Sequence, residues 1–218
     1  MVLFMIRAEY DIAFKKAAQV NQILSLSPQK GKFVSLDDIV NAVLRISNYE
    51  EINIDRVAFS KIDFPVGFDR SIASACGAML NTTSRKNKST QCDERVAQLI
   101  INSDFDANMQ RFSVVHELGH LITEIPNFVY EEIDDGRSTL SAHVNADITY
   151  LTEEQCAGNK YLIAEQVANI FALLVLIPRD IKIRDIKDVG VETFAEEYGV
   201  TEDAIYSRML LSNVSASM

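Results

Sequence analysis

Residues 110–122 run Gln110-Arg111-Phe112-Ser113-Val114-Val115-His116-Glu117-Leu118-Gly119-His120-Leu121-Ile122. From Met109 to Ile122 apolar side chains fill most helical faces, so the spacing predicts a helix surrounded by protein. Two of the chain's three histidines lie in it, four positions apart. Positions i and i+4 share a helical face, so both imidazoles can reach one point, with Glu117 beside the first. Asn102-Ser103-Asp104-Phe105-Asp106 offers several N-caps upstream, and Pro126 ends the helix. Gly119 costs on the order of 1 kcal/mol against alanine and marks a close approach by another element or a crowded neighbour.

The spacing is the H-E-x-x-H arrangement of zinc metallopeptidases, in which the histidines hold the metal and the glutamate is the general base. A catalytic zinc site has three protein ligands and leaves the fourth position to water, so a third donor must come from elsewhere. Glu165 lies among Leu162, Ile163, Val167, Ala168 and Ile170 in a second strongly apolar helix, Tyr161 to Leu176. A carboxylate in that setting is expensive unless paired or bound to a metal. A surface-facing Glu165 is the bland alternative, and His143 is the rival ligand, although it sits in an irregular acidic segment. Asn169, one turn after Glu165, could accept a hydrogen bond from the far ring nitrogen of His116 or His120, or simply pack. His143, Tyr150 and Tyr161 are candidates for an oxyanion donor.

Outside these helices the chain reads as two N-terminal helices and then strands. Ile12, Phe14, Ala17, Ala18, Ile23 and Leu24 recur with near-helical spacing from Glu9 to Leu24, and 27–31 breaks the pattern. Ser35 with Asp38 forms a capping-box-like start to a second helix. Ile52 to Phe59, Ile72 to Leu80 and Val96 to Ile101 read as strands, with 82–93 as a hairpin loop. Residues 124–160 read as irregular, with eight acidic residues against Arg137 and Lys160, either a solvated insertion or a rim that grips substrate. The tail from Val191 to Leu211 shows two short helical patterns about Gly199-Val200-Thr201. It has the outline of a helix-turn-helix, yet the second helix opens on Glu202-Asp203 and carries only Arg208 as a base, so scaffold is the better reading.

Composition narrows the classes. The net charge of −10 argues against broad contact with nucleic acid. Three widely spaced cysteines form neither a disulfide framework nor a zinc site, which fits a reducing cytoplasm. Cys156 with His143 and Asp147 can be drawn as a nucleophile triad, but nothing local supports it. The apolar opening, 1–6, lacks a signal peptide's charged leader and cleavage site. The longest apolar stretch, 170–177, is under half the length that crosses a bilayer.

The runs 100–104 and 110–122, with Glu165-Gln166-Val167-Ala168-Asn169-Ile170-Phe171-Ala172 and the later Pro178, resemble the core of the ImmA/IrrE-type metallopeptidases. The resemblance covers about 96–178 and is loose outside it; the long acidic segment departs from the family's shorter members. It implies an α+β, zincin-like fold over one domain, 1–218, with a core at about 52–178 and a helical tail at 179–218. It implies Glu165 as third ligand, and Zn2+ as cofactor. It further implies limited proteolysis of a helix-turn-helix repressor in the cytoplasm, switching on a mobile element or stress response, without membrane or direct nucleic-acid contact. The alternative is a zincin-like module that binds a repressor or antitoxin without cutting it.

Overall fold

The computed structural model describes residues 2–26, 33–61, 76–87, 90, 92–123, 139–144, 160–178 and 183–215. In chain order the elements are α1 (Val2–Ser25), α2 (Leu36–Ile46), β1 (Glu51–Val57), a 3-10 turn (Phe59–Lys61), β2 (Cys76–Lys86) and β3 (Asp93–Asn102). There follow α3 (Ala107–Thr123), β4 (Thr139–Val144), α4 (Lys160–Leu176), α5 (Ile183–Val189), α6 (Val191–Tyr198) and α7 (Glu202–Ser215). The result is an α+β arrangement with a four-stranded mixed sheet ordered β1-β3-β2-β4. β1 runs parallel to β3, whereas β2 is antiparallel to both β3 and β4.

The sheet buries one side. Ala78 and Leu80 of β2 stand in register with Ile101 and Leu99 of β3, and with Ala97 these residues join the core against which α3 packs. α3 is thereby enclosed, and every residue from Arg111 to Thr123 is buried. α4 packs against both α3 and α1. Tyr10, Ala13, Ala17, Val20 and Leu24 face inward on α1 at alternating three- and four-residue spacing. That stripe differs from the apolar set expected of this helix: Ala18 is exposed, while Ile12, Phe14 and Ile23 are half-buried. Asn21 donates to the Leu174 carbonyl at 2.9 Å and ties α1 to the end of α4.

Local signals set the helix starts. Ser35 Oγ accepts from the Asp38 N–H at 3.1 Å and donates to its carboxylate at 2.6 Å, as the capping pattern predicts. Among the possible caps of α3, Asp106 takes the role, accepting from the Asn108 and Met109 N–H groups at 2.9 and 3.0 Å. Asn102, 1% exposed, accepts from the Phe59 and Asp104 N–H groups and joins the 3-10 turn to the strand that feeds α3.

Three expectations need correction. Thr82 to Lys86 are strand, not loop, with Lys86 opposite Asp93. Arg85 pairs with Glu94 at 3.2 Å and with Glu51 at 2.7 Å, cross-strand links at the exposed end of the sheet that a polar sequence conceals. The acidic segment contains β4, which pairs with β2 and is therefore not irregular throughout. The C-terminal part has a further helix, α5, before the two expected.

Gly199 ends α6 at φ 62, where only glycine is unstrained, and the Val200 N–H returns to the Ala195 carbonyl at 3.0 Å. Any Cβ at this position would also collide with the ring of Phe33. Asn108, in the first turn of α3, donates to the Val200 carbonyl at 3.1 Å and anchors the turn. Arg111 is 5% exposed; its guanidinium lies 4.1 Å over the Phe33 ring and donates to the Val34 carbonyl. Burial lowers its pKa to about 10.

Candidate metal centre

α3 and α4 are in close contact at Gly119. A Cβ there would lie 3.0 Å from Ala168 Cα and 3.1 Å from both the Ala168 carbonyl oxygen and Phe171 Cδ1. Two of these three obstacles are backbone, which yields only if α4 itself shifts. The helices therefore face each other across a glycine, and the side chains that flank this contact on each helix are brought into reach.

Those side chains are His116 and His120 on α3 and Glu165 and Asn169 on α4. His116 Nε2 and His120 Nε2 are 3.0 Å apart. Glu165 Oε2 lies 3.2 Å from His116 Nε2, and its Oε1 lies 3.3 Å from His120 Nε2. All three residues are buried, and together they form a group that can hold one metal ion. Donors at 2.0–2.1 Å around a tetrahedral ion stand about 3.3 Å apart. Each imidazole lies near that distance from the other and from one of the two Glu165 oxygens, so the donor set suits a divalent ion such as Zn2+.

Asn169 sets the tautomer. Its Oδ1 lies 2.8 Å from His116 Nδ1. A carboxamide oxygen only accepts, so Nδ1 carries the proton and the Nε2 lone pair is left facing the cluster. Two ring nitrogens and a carboxylate at this range are electron-rich, and a cation is needed among them. In the metal-free protein the same surroundings favour a proton on His120. Burial works against charge on His120, but its hydrogen bond to Glu165 and the charges of Glu165 and Glu117 outweigh it and raise the pKa.

The sign of the pH effect follows. A raised imidazole stabilises the metal-free fold fully below its ordinary pKa of 6.5, and that contribution is lost as pH rises through the raised value. Metal must displace the same proton. Zn2+ affinity is therefore expected to fall on acidification from a pH already above 6.5. Competition titrations with a chromophoric chelator between pH 8 and 6 check this, and a flat profile would exclude His120 as a donor.

Glu117 is fully buried on α3 and close enough to add its charge at His120. Of the expected oxyanion donors, His143 falls in β4 opposite Ala78, and Tyr161 in the first turn of α4. The side chains of both, all of Tyr150, and Cys156 with Asp147 lie outside the described residues. Cys92 is an exposed free thiol.

No family model matches the chain, and no curated protein or solved structure matches it either. The geometry of the cluster stands without them. Among the described residues no helix is long and apolar enough to cross a membrane.

Sequence reasoning named Gly119 as a close approach without a partner; Ala168 supplies it. The signal was Ala168 in the row Ala164, Ala168 and Ala172, small residues four positions apart on the helix that carries Glu165. Gly119→Ala is expected to destabilise the protein by up to about 2 kcal/mol net, overpacking of about 1–3 kcal/mol being offset by about 1 kcal/mol of helix propensity. Because relief requires α4 to move, Zn2+ affinity should fall as well. Denaturant unfolding of the metal-free protein and a chelator titration measure the two effects separately.

Proposed function

We propose that the chain is a zinc-dependent endopeptidase that cuts a regulatory protein at one or few bonds. The observation that carries this is the convergence of His116, His120 and Glu165 within 3.0–3.3 Å, beside a buried Glu117 that such a cluster does not need for holding metal. His116, His120 and Glu165 would hold the Zn2+. When bound, Zn2+ supplies a Lewis acid that polarises a scissile carbonyl and brings the pKa of water toward neutrality. Asn169 keeps His116 in the tautomer that presents Nε2. Glu117 takes a proton from the attacking water onto its carboxylate and returns it to the departing amine nitrogen, so peptide and water become a carboxylate and an amine. His143, Tyr150 and Tyr161 are the candidates to donate a hydrogen bond to the oxyanion.

The substrate class comes from the resemblance to ImmA/IrrE-type metallopeptidases: a helix-turn-helix repressor, cleaved in the cytoplasm to release a silenced gene set. The net charge of −10 suits a basic, DNA-binding substrate. A non-catalytic module that grips such a repressor is the second reading, and the presence of Glu117 counts against it.

The test pairs the purified chain with purified helix-turn-helix repressors, beginning with any that a neighbouring reading frame encodes. Cleavage that stops with a chelator and returns with Zn2+ is the expected result. Intact repressor in a stable complex, with metal present, would overturn the enzyme in favour of the module.

A further inference from the structure

α6 and α7 meet at Gly199 as a helix-turn-helix, and each buries one side. Phe194, Ala195 and Tyr198 face inward on α6, as do Ala204, Ile205 and Leu211 on α7. The outer side of α7 is not the polar surface of a solvated helix. Tyr206 is 49% and Leu210 54% exposed, four positions apart and so one turn apart on one face. Among the exposed large apolar side chains of the described residues, these are the only two in that relation. Glu202 and Asp203 precede Tyr206 by four and three positions and share its face.

The charges that α6 and α7 themselves expose have one sign, the nearest described bases along the chain being Arg184 and Lys187 on α5. Glu192, Glu196, Glu197, Glu202 and Asp203 are all exposed. Arg208, the one base between Val191 and Ser215, is 3% exposed. Its Nε donates to the Ile177 carbonyl at 3.0 Å and its Nη1 to Ser212 Oγ at 2.6 Å, inside the fold. The helix pair thus has the outline of a DNA reader with the opposite charge.

We propose that this face of α7 docks a basic amphipathic helix of another protein. Tyr206 and Leu210 seat among its apolar side chains, and Glu202 and Asp203 pair with its lysines or arginines. The spacing of Asp203, Tyr206 and Leu210 is the i, i+3, i+7 pattern by which one helix lies along another surface. Exposed tyrosine is also a preferred interface anchor. The sign of the charge selects the occupant. Nucleic acid and anionic lipid are repelled by a helix pair that exposes only acidic charges and turns its one base, Arg208, inward. A second copy would set Glu202 and Asp203 against an equally acidic surface, and like charges across an interface are costly. The docking face shares no residue with the metal cluster, so the proposal does not depend on catalysis.

The probe is a labelled amphipathic helical peptide with leucines on one face and lysines on the other, titrated against the full chain by fluorescence anisotropy. Expected is saturable binding that weakens about tenfold in Tyr206→Ser/Leu210→Ser and again in Glu202→Lys/Asp203→Lys, with thermal melting unchanged. No binding to the unmodified chain overturns the proposal. So does binding indifferent to Tyr206→Ser/Leu210→Ser, which signals attraction to net charge alone. Preference for duplex DNA over the peptide overturns it too. Sedimentation showing a dimer that the Tyr206→Ser/Leu210→Ser variant dissolves overturns it in favour of a second copy.

Discussion

Glu117→Gln is expected to lower peptide-bond cleavage by about 10²–10⁴-fold while leaving metal content unchanged. Glutamine has nearly the same shape, so the fully buried position on α3 stays filled. It cannot take a proton from water at neutral pH, and the step that activates the nucleophile is lost. His116, His120 and Glu165 keep their mutual contacts, which run between their own ring nitrogens and carboxylate oxygens. The measurement is kcat on the protein substrate with zinc stoichiometry on the same sample. Equal rates would remove Glu117 from the chemistry and favour the binding module. Loss of the Glu117 charge also removes one influence that raises the His120 pKa. Protons should therefore displace metal at slightly lower pH than in the unmodified protein.

Glu165→Ala is expected to abolish stoichiometric metal, and cleavage with it. The substitution leaves His116 and His120 as two neutral donors on one helix, one short of the three protein ligands of a catalytic zinc site. Two imidazoles without a carboxylate also lose the negative charge that favours a cation between them. Elemental analysis after dialysis reads the outcome, and retained zinc at one ion per chain would place the third donor elsewhere. Glu117→Gln and Glu165→Ala thus separate the roles: one keeps metal and loses turnover, the other loses both. A variant series in which both behave alike would mean that the cluster is structural.

Much of this centre was legible in the primary sequence because it is carried by two helices, and helical neighbours are set by spacing alone. His116 and His120 share a face wherever the helix lies, and Glu165 and Asn169 do so on theirs. The carboxylate at 165 stood out because it interrupts an apolar run. What spacing does not encode is the meeting of the two helices. That depends on Gly119 against Ala168, a contact across 49 residues of sequence (168 minus 119), and such pairs leave no periodic signature. The same limit explains the errors in the sheet. Thr82 to Lys86 carry no apolar alternation, so only pairing with Asp93 to Ala97 makes them strand. β4 depends in the same way on β2, its partner some 60 residues earlier by the register of His143 with Ala78.

By itself the sequence determined the two helices of the centre, the shared face of His116 and His120 and the chemistry open to that spacing, because each follows from local period and residue type, while the α+β class came from the family resemblance. The tertiary structure alone decided that Glu165 reaches both imidazoles, that Asn169 orients His116, that Arg208 turns inward, and that Tyr206 and Leu210 remain outside. These are consequences of which faces the packed elements cover. Burial is a property of the assembled core, and no stretch of chain carries it alone.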